Sequence, residues 1–186
     1  MRIISGTLKG KSINFLKNSI TRPLKDSVKE NIFNILKHSI LINAKIERAN
    51  ILDLYSGVGS FGLECISRGS KKVTFIEQDK NSSNILEKNL TQLSVMNDAI
   101  IINNKIENFL KKNDKEKFDI FFLDPPFSDN KFINNLDLIK KNKIYKKKHI
   151  VIIHRERGSI DNYSNLIKKI IIKEYGRSKI IFGIFN

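Results

Sequence analysis

The segment Leu123-Asp124-Pro125-Pro126-Phe127 follows directly on an apolar run, Phe118 to Leu123, and combines residue types that can do chemistry together. Two successive prolines hold φ at about −65° and donate no hydrogen bond, so the backbone is stiff and its carbonyls stay free to accept. A carboxylate and a proline carbonyl fixed side by side can accept both hydrogens of an exocyclic amine. The Phe127 ring can stack on the base that carries such an amine, a contact worth ~1–3 kcal/mol. A rigid turn with no further role would also use two prolines. It is disfavoured because a glycine-rich loop and an acid at a strand end precede it in the order such a site requires.

The loop lies in Ile51-Leu-Asp-Leu-Tyr-Ser-Gly-Val-Gly-Ser-Phe-Gly62, a buried strand running into a turn that opens a helix. Glycines there allow close approach of a ligand to the backbone, and the helix start offers free N–H groups. Gly57, Gly59 and Gly62 satisfy G-x-G-x-x-G, and Glu77 ends the next strand where a ribose-binding carboxylate belongs. These features alone fit NAD and S-adenosylmethionine (SAM) equally. Asp53, inside the strand and able to face a cationic ammonium, favours the second, as does a strand that begins near residue 50 after a basic extension. A third segment, Thr21-Arg22-Pro23 to Lys29, reads locally as an ordinary helix start: Pro23 ends an extended stretch and Asp26 caps a helix that carries Lys25 and Lys29.

The elements that must position these residues follow from periodicity. Asn50 to Leu54, Lys72 to Ile76, Ala99 to Ile102, Phe118 to Leu123 and His149 to Ile153 are short, rich in branched or aromatic residues and bounded by polar punctuation, which predicts buried strands. Between them, Phe61 to Ser67, Lys80 to Leu93, Ile106 to Lys112 and Phe132 to Lys140 have helical spacing. Strands alternating with helices predict an α/β, doubly wound parallel sheet with ligands at the strands' carboxyl ends. Residues 167–186 break the rhythm and read as an antiparallel hairpin around Gly176-Arg177. At the other end, the segments around Lys9-Gly10 predict a small β-hairpin, followed by a helix from about Asp26.

Ile, Lys and Asn supply 80 of the 186 residues and Ala only three, a bias towards A and T codons that could by itself inflate the net charge of +15. The distribution of charge argues otherwise. Residues 1–48 hold ten basic and three acidic residues, residues 49–137 eleven and thirteen, and residues 138–186 thirteen and three. A uniform bias does not leave a near-neutral centre between basic flanks, whereas a polyanionic partner does. No apolar run reaches the ~18 residues that span a bilayer, and the start lacks a signal peptide's apolar stretch. The single Cys65 and the scattered His38, His149 and His154 give neither a disulfide nor a zinc pattern, so a reducing compartment and no metal are expected.

Together the segments resemble the bacterial RsmD-type 16S ribosomal RNA guanine-N2 methyltransferases, within the class I SAM-dependent fold. The resemblance runs through Arg2-Ile-Ile-Ser-Gly6, Lys9-Gly-Lys11, Thr21-Arg-Pro23 with Asp26 to Leu36, Leu52 to Glu64 with Ser67-Arg-Gly69, Phe75-Ile-Glu77, Phe118 to Phe127 and Glu174-Tyr-Gly176. It implies a Rossmann-like sheet of seven strands, mostly parallel, over residues 49–186, with residues 1–48 as a basic hairpin-and-helix extension. By the same resemblance SAM is the cofactor. Asp53, Ser56, Gly57 and Gly59 would line its methionine end, Glu77 would bind the ribose and Gln78 would lie beside the adenine, with Tyr55 and Phe61 also at the cofactor. At Asn103-Asn-Lys105-Ile106 the chain departs from the family: Lys105 stands where a short acidic or amide residue is usual, leaving the backbone of Ile106 as the adenine contact.

Asp124, Pro125, Pro126 and Phe127 would hold the target amine. Arg2, Lys9, Lys11, Thr21, Arg22, Pro23, Lys146, Lys147 and Lys148 would grip 16S ribosomal RNA, in the small subunit or an assembly intermediate, and a cytoplasmic monomer is expected. Two other readings use the same residues. A DNA adenine-N6 methyltransferase shares the Asp-Pro-Pro-Phe chemistry but commonly needs a target-recognition domain for which there is little room. A non-catalytic RNA-binding assembly factor with a degenerate SAM fold is kept open by Lys105.

Overall fold

The computed structural model describes residues 1–16, 24–113 and 116–186, so Thr21, Arg22 and Pro23 lie outside the described residues. Seven strands form one sheet: β1 (Asn50–Leu54), β2 (Lys72–Ile76), β3 (Ala99–Ile102), β4 (Phe118–Leu123), β5 (Tyr145–Glu156), β6 (Ile167–Tyr175) and β7 (Ser178–Phe185). Their spatial order is β3-β2-β1-β4-β5-β7-β6, with β1 to β5 parallel and β7 antiparallel to both neighbours. Helices α1 (Asp26–His38), α2 (Ser60–Ser67), α3 (Lys80–Gln92), α4 (Ile106–Lys112) and α5 (Phe132–Asn142) complete the chain. Among the described residues no helix is long and apolar enough to cross a membrane.

The central strands are apolar on both faces because helices cover both. Ile51, Phe75, Phe122 and Ile152 belong to one core cluster with α1 and α2, while Leu54, Ile76, Leu123 and Ile153 belong to another with α4 and α5. β5 is longer than the predicted His149 to Ile153. Its charged start pairs Tyr145 with Phe118, and its polar end runs along β7 as far as Glu156. The edge strand β6 exposes Lys168, Lys169 and Lys173, charges that discourage pairing with another chain.

The predicted N-terminal hairpin is reduced to one bridge, Arg2 to Ser12, flanked by Ile3 N–H to Lys11 O (2.9 Å) and Ile13 N–H to Met1 O (2.9 Å). Side chains of α2 hold it in place. The fully buried Glu64 accepts from Ile4 N–H (2.8 Å), Ser5 N–H (2.9 Å) and Arg68 Nε (2.8 Å). Ser67 Oγ donates to Ser5 O (2.6 Å) and accepts from Leu8 N–H (3.0 Å).

One expectation for α1 is corrected. Lys25 occupies the N-cap with no side-chain hydrogen bond, and Asp26, the expected cap, is the first helical residue and lies 3.4 Å from Arg2. Lys29 is fully buried, 3.7 Å from Glu64, and donates to Arg2 O (2.8 Å) and Ser60 Oγ (3.4 Å). Burial pulls the Lys29 ammonium below its ordinary range, and the Glu64 carboxylate opposes that pull.

Glu64→Ala would strand two backbone donors and a buried cation, and should cost about 3–5 kcal/mol. The expected result is a lower urea midpoint with residues 1–16 opened to protease. A loss below about 1 kcal/mol would show that the N-terminal segment does not depend on this carboxylate.

Candidate active site

Side-chain alternation carries Asp53, Glu77, Asp124 and His154 to the sheet face of Ile51, Phe75, Phe122 and Ile152, at the carboxyl ends of β1, β2, β4 and β5. The strand order reverses between β1 and β4, which opens the crevice where ligands of such sheets sit. Asp53 is 1% exposed and accepts Gly62 N–H, in the first turn of α2, at 3.0 Å. Burial pushes its carboxyl well above the usual range. The Gly62 bond opposes this, and the charges of Asp124 and Glu77 add to it. Glu77 is also raised by burial, while N–H groups of Asp79 and Gly57, each at 2.8 Å, hold it down.

The loop between β1 and α2 turns through the left-handed region at Tyr55 (φ 61°), Gly57 (φ 55°) and Gly59 (φ 88°). A Cβ on Gly59 would collide with Leu86, whereas one on Gly57 would meet nothing within 4 Å. Gly57 therefore presents its backbone to open space. Tyr55, an unusual non-glycine in that region, is held by its hydroxyl, which donates to Asp129 (3.3 Å) and accepts from Asn135 (3.0 Å). Burial raises the Tyr55 hydroxyl, so it stays a donor at neutral pH. Ser56 spends both its N–H (3.2 Å) and its hydroxyl (3.4 Å) on Ile76 O.

Phe61, expected at the cofactor, is core instead: it is 2% exposed and stacks between Phe122 (4.0 Å between centroids) and Phe33 (5.2 Å). Its apolar ring faces the sheet because that side of α2 does. Gln78 is exposed at the end of β2. Asn103 Nδ2 donates to Glu77 O (2.8 Å), Lys105 lies exposed just ahead of α4 with its N–H on Asn104 Oδ1 (2.8 Å), and the Ile106 side chain is buried.

In the Asp-Pro-Pro-Phe element, the Asp124 side chain is 26% exposed and its Oδ1 lies 2.8 Å from His154 Nδ1. Among the described residues no hydrogen bond reaches Asp124 Oδ2 or the Pro125 carbonyl. The expectation that the proline carbonyls stay free holds only for Pro125. Pro126 O accepts Asp129 N–H (2.8 Å) and Arg155 (3.2 Å), and Phe127 O accepts Arg155 (3.1 Å). Arg155 is buried, forks onto both oxygens of Asp161 at 3.0 Å and lies 4.6 Å over the Phe132 ring. Phe127 is 37% exposed, and its ring lies roughly perpendicular to that of His154, 5.6 Å between centroids. His154 and Arg155 were missed in the sequence because the strand was read to stop at Ile153. The available signal was a polar pair directly after an apolar run, at the end of a strand where sites lie.

The expected RNA grip is only partly at this end of the molecule. Lys146 is taken up by Asp119 (2.7 Å), and Lys147 and Lys148 are exposed at the amino end of β5. They lie seven and six residues before His154, at most about 23 and 20 Å along the strand at ~3.3 Å per residue, less the irregularity between the Tyr145 and Ile150 pairings. Lys9 follows the Gly6–Leu8 turn that rests on Ser67, at the end of α2 away from the glycine loop, and Lys11 comes just after that turn. Arg2 is exposed beside Asp26. Exposed cations at the Asp124 end include Lys131, Arg157 and Arg177; Arg157 N–H donates to Arg177 O (2.8 Å), and the two guanidinium groups pair with Glu174 (2.7 Å) and Glu156 (3.0 Å) at exposed positions.

This sheet order, with a glycine loop after β1 and an acid-lined crevice at the switch point, defines an α/β protein of the class I methyltransferase type. The family described as Conserved hypothetical protein 95 matches residues 1–184. The "Ribosomal RNA small subunit methyltransferase D" of Haemophilus influenzae is 36% identical over 159 residues, covering 84% of this chain and 79% of that protein. Among solved structures, a putative methyltransferase, yhhF, from Escherichia coli aligns with TM-score 0.83 at 26% identity, covering 98% of this chain and 96% of that one. A putative methylase from Haemophilus influenzae aligns with TM-score 0.77 at 31% identity, with the same coverage of 98% and 96%. The chain belongs to the ribosomal RNA small subunit methyltransferase D family.

The two loop glycines should respond differently to a methyl group. Gly59→Ala is expected to cost roughly 2–3 kcal/mol in urea denaturation, from strain and collision together. Gly57→Ala should cost about 1 kcal/mol, from the left-handed backbone alone. Equal costs would contradict the distinction between a packed and an open glycine.

Proposed function

We propose that this chain transfers a methyl group from SAM to the exocyclic N2 amine of a guanine in 16S ribosomal RNA. The carrying observation is Asp124 at the carboxyl end of β4, its side chain 26% exposed and, among the described residues, no hydrogen bond reaching its Oδ2 or the Pro125 carbonyl, on the sheet face that also carries Asp53 and Glu77. Family membership supports the class of reaction, and the relatives' name supports ribosomal RNA. The choice of guanine N2 rests on the resemblance set out above.

The residues present fit SAM. Three carboxylates gathered at one end of a protein of net charge +15 suit a ligand with a sulfonium and an ammonium. The open side of Gly57 allows a ligand to approach the backbone, and the partly exposed Glu77 is placed for ribose hydroxyls. Lys105 offers adenine no carboxylate, which leaves that recognition to the backbone near Ile106. When bound, SAM supplies an electrophilic methyl group on a sulfonium.

The protein's part is to prepare the acceptor. The N2 lone pair of guanine is delocalised into the ring and is poorly nucleophilic. Asp124 Oδ2 and the Pro125 carbonyl accept its two N–H groups, which draws the lone pair out of conjugation and aims it, while Phe127 stacks on the base. The new N–C bond would form as the methyl–sulfur bond breaks, the bonding pair staying on sulfur as a neutral thioether, and one N–H proton would leave to Asp124 or water. Lys131, Arg157 and Arg177 supply the phosphate contacts nearest to that point.

Asp124→Ala should slow methyl transfer by about 10²–10³-fold, as loss of a preorganised partner for developing charge does. Calorimetry should find SAM affinity nearly unchanged; equal loss of both would contradict the role given to Asp124. Neutralising Lys131, Arg157 and Arg177 together should weaken RNA binding and flatten its salt dependence by ~0.7 per lost contact, whereas Lys147→Ala with Lys148→Ala should change little. The reverse ranking would place the RNA on the far end of the sheet.

A further inference from the structure

His154 is 6% exposed, and both its ring nitrogens are engaged: Nδ1 with Asp124 Oδ1 at 2.8 Å, Nε2 with Ser178 Oγ at 2.9 Å. An ionised carboxylate can only accept, so Nδ1 carries the proton and Nε2 accepts from the Ser178 hydroxyl. Asp124 thereby selects the imidazole tautomer, and Ser178, the first residue of β7, is brought to Nε2 by the antiparallel hairpin and complements it. The same ring lies roughly perpendicular to that of Phe127, 5.6 Å between centroids. Below it on this face of β5 stand only the apolar Ile152 and Ile150, where a leucine would pack without the cost of burying two polar nitrogens.

We propose that His154 is a positioning residue for Asp124. Its Nδ1–H occupies Oδ1 and fixes the plane of the carboxylate, which leaves Oδ2 as the one acceptor turned to the substrate amine, and its ring limits the swing of Phe127. Ser178 acts through it by donating to Nε2, which supports that tautomer and holds the ring in place. The inference rests on the role proposed for Asp124 and adds to it the device that keeps a partly exposed carboxylate in a single orientation. A misplacement of about 1 Å at a reacting group can cost on the order of 10²-fold in rate, which sets the scale of the effect.

The test uses the full chain with labelled SAM and small ribosomal subunits or their naked RNA. It compares wild type with His154→Leu, His154→Asn and Ser178→Ala in single-turnover rate, SAM affinity and RNA affinity. His154→Leu should lose ~30–100-fold in rate with both affinities kept within about threefold. His154→Asn, whose amide can donate where Nδ1 does, should recover to within about fivefold of wild type, with Ser178→Ala between the two. ¹⁵N NMR of the imidazole, which does not depend on turnover, should show the Nδ1–H tautomer in wild type and a shift away from it in Ser178→Ala. An active wild type with His154→Leu equally fast, or an Nε2–H tautomer, overturns this inference alone. A wild type that transfers no methyl to either substrate overturns the role of Asp124 and this inference with it.

Discussion

Negative charge concentrated at one end of a parallel sheet is the constraint on which the rest of this structure depends. Asp53, Glu77 and Asp124 project from the same face at the ends of β1, β2 and β4, and burial together with mutual repulsion pushes the innermost of them well above its ordinary range. Each is met by a specific donor: Gly62 N–H for Asp53, Gly57 and Asp79 N–H for Glu77, and His154 for Asp124. Two of these donors lie in the glycine loop or the first turn of α2. The left-handed turns at Tyr55, Gly57 and Gly59 are therefore the local geometry that brings N–H groups to the carboxylates.

The site has two halves, the loop after β1 and the loop after β4, and it is useful only if they stay in register. Tyr55 joins them by bonding to Asp129 and Asn135 across about eighty residues of sequence. Arg155 pins the backbone of Pro126 and Phe127 from beneath and is itself held by Asp161 and Phe132. What results is a stiff element in which, among the described residues, Asp124 Oδ2 and the Pro125 carbonyl have no hydrogen-bond partner and Phe127 is partly exposed, preorganised in the sense that matters for charge developing in a transition state. The N-terminal segment is bound into the same unit. Glu64 and Ser67 clamp it to α2, and Lys29 bridges Arg2 to Ser60, the first residue of that helix.

Much of this was legible in the sequence where the signal is local. The bounds of β1 to β4 follow their apolar runs, and the last hairpin turns at Gly176-Arg177, because strand burial and turn chemistry are written in neighbouring residues. What escaped depends on partners distant along the chain. Nothing local marks Lys29 for burial until Glu64 and the Arg2 carbonyl are beside it, and Phe61, expected at the cofactor, becomes core because Phe33 and Phe122 close on it. Lys146 looked like a phosphate ligand but belongs to Asp119, and topology places its run at the end of β5 away from the crevice. Net charge by segment could show that the flanks are basic, but not which end of the sheet carries each cation.

The most direct test of the central claim is to incubate the chain with isotope-labelled SAM and, separately, small ribosomal subunits, naked ribosomal RNA and duplex DNA, then digest each and identify the labelled nucleoside by mass spectrometry. The account predicts N2-methylguanosine from small-subunit RNA and no label in DNA. N6-methyladenine in DNA, or no label in any substrate, would contradict it.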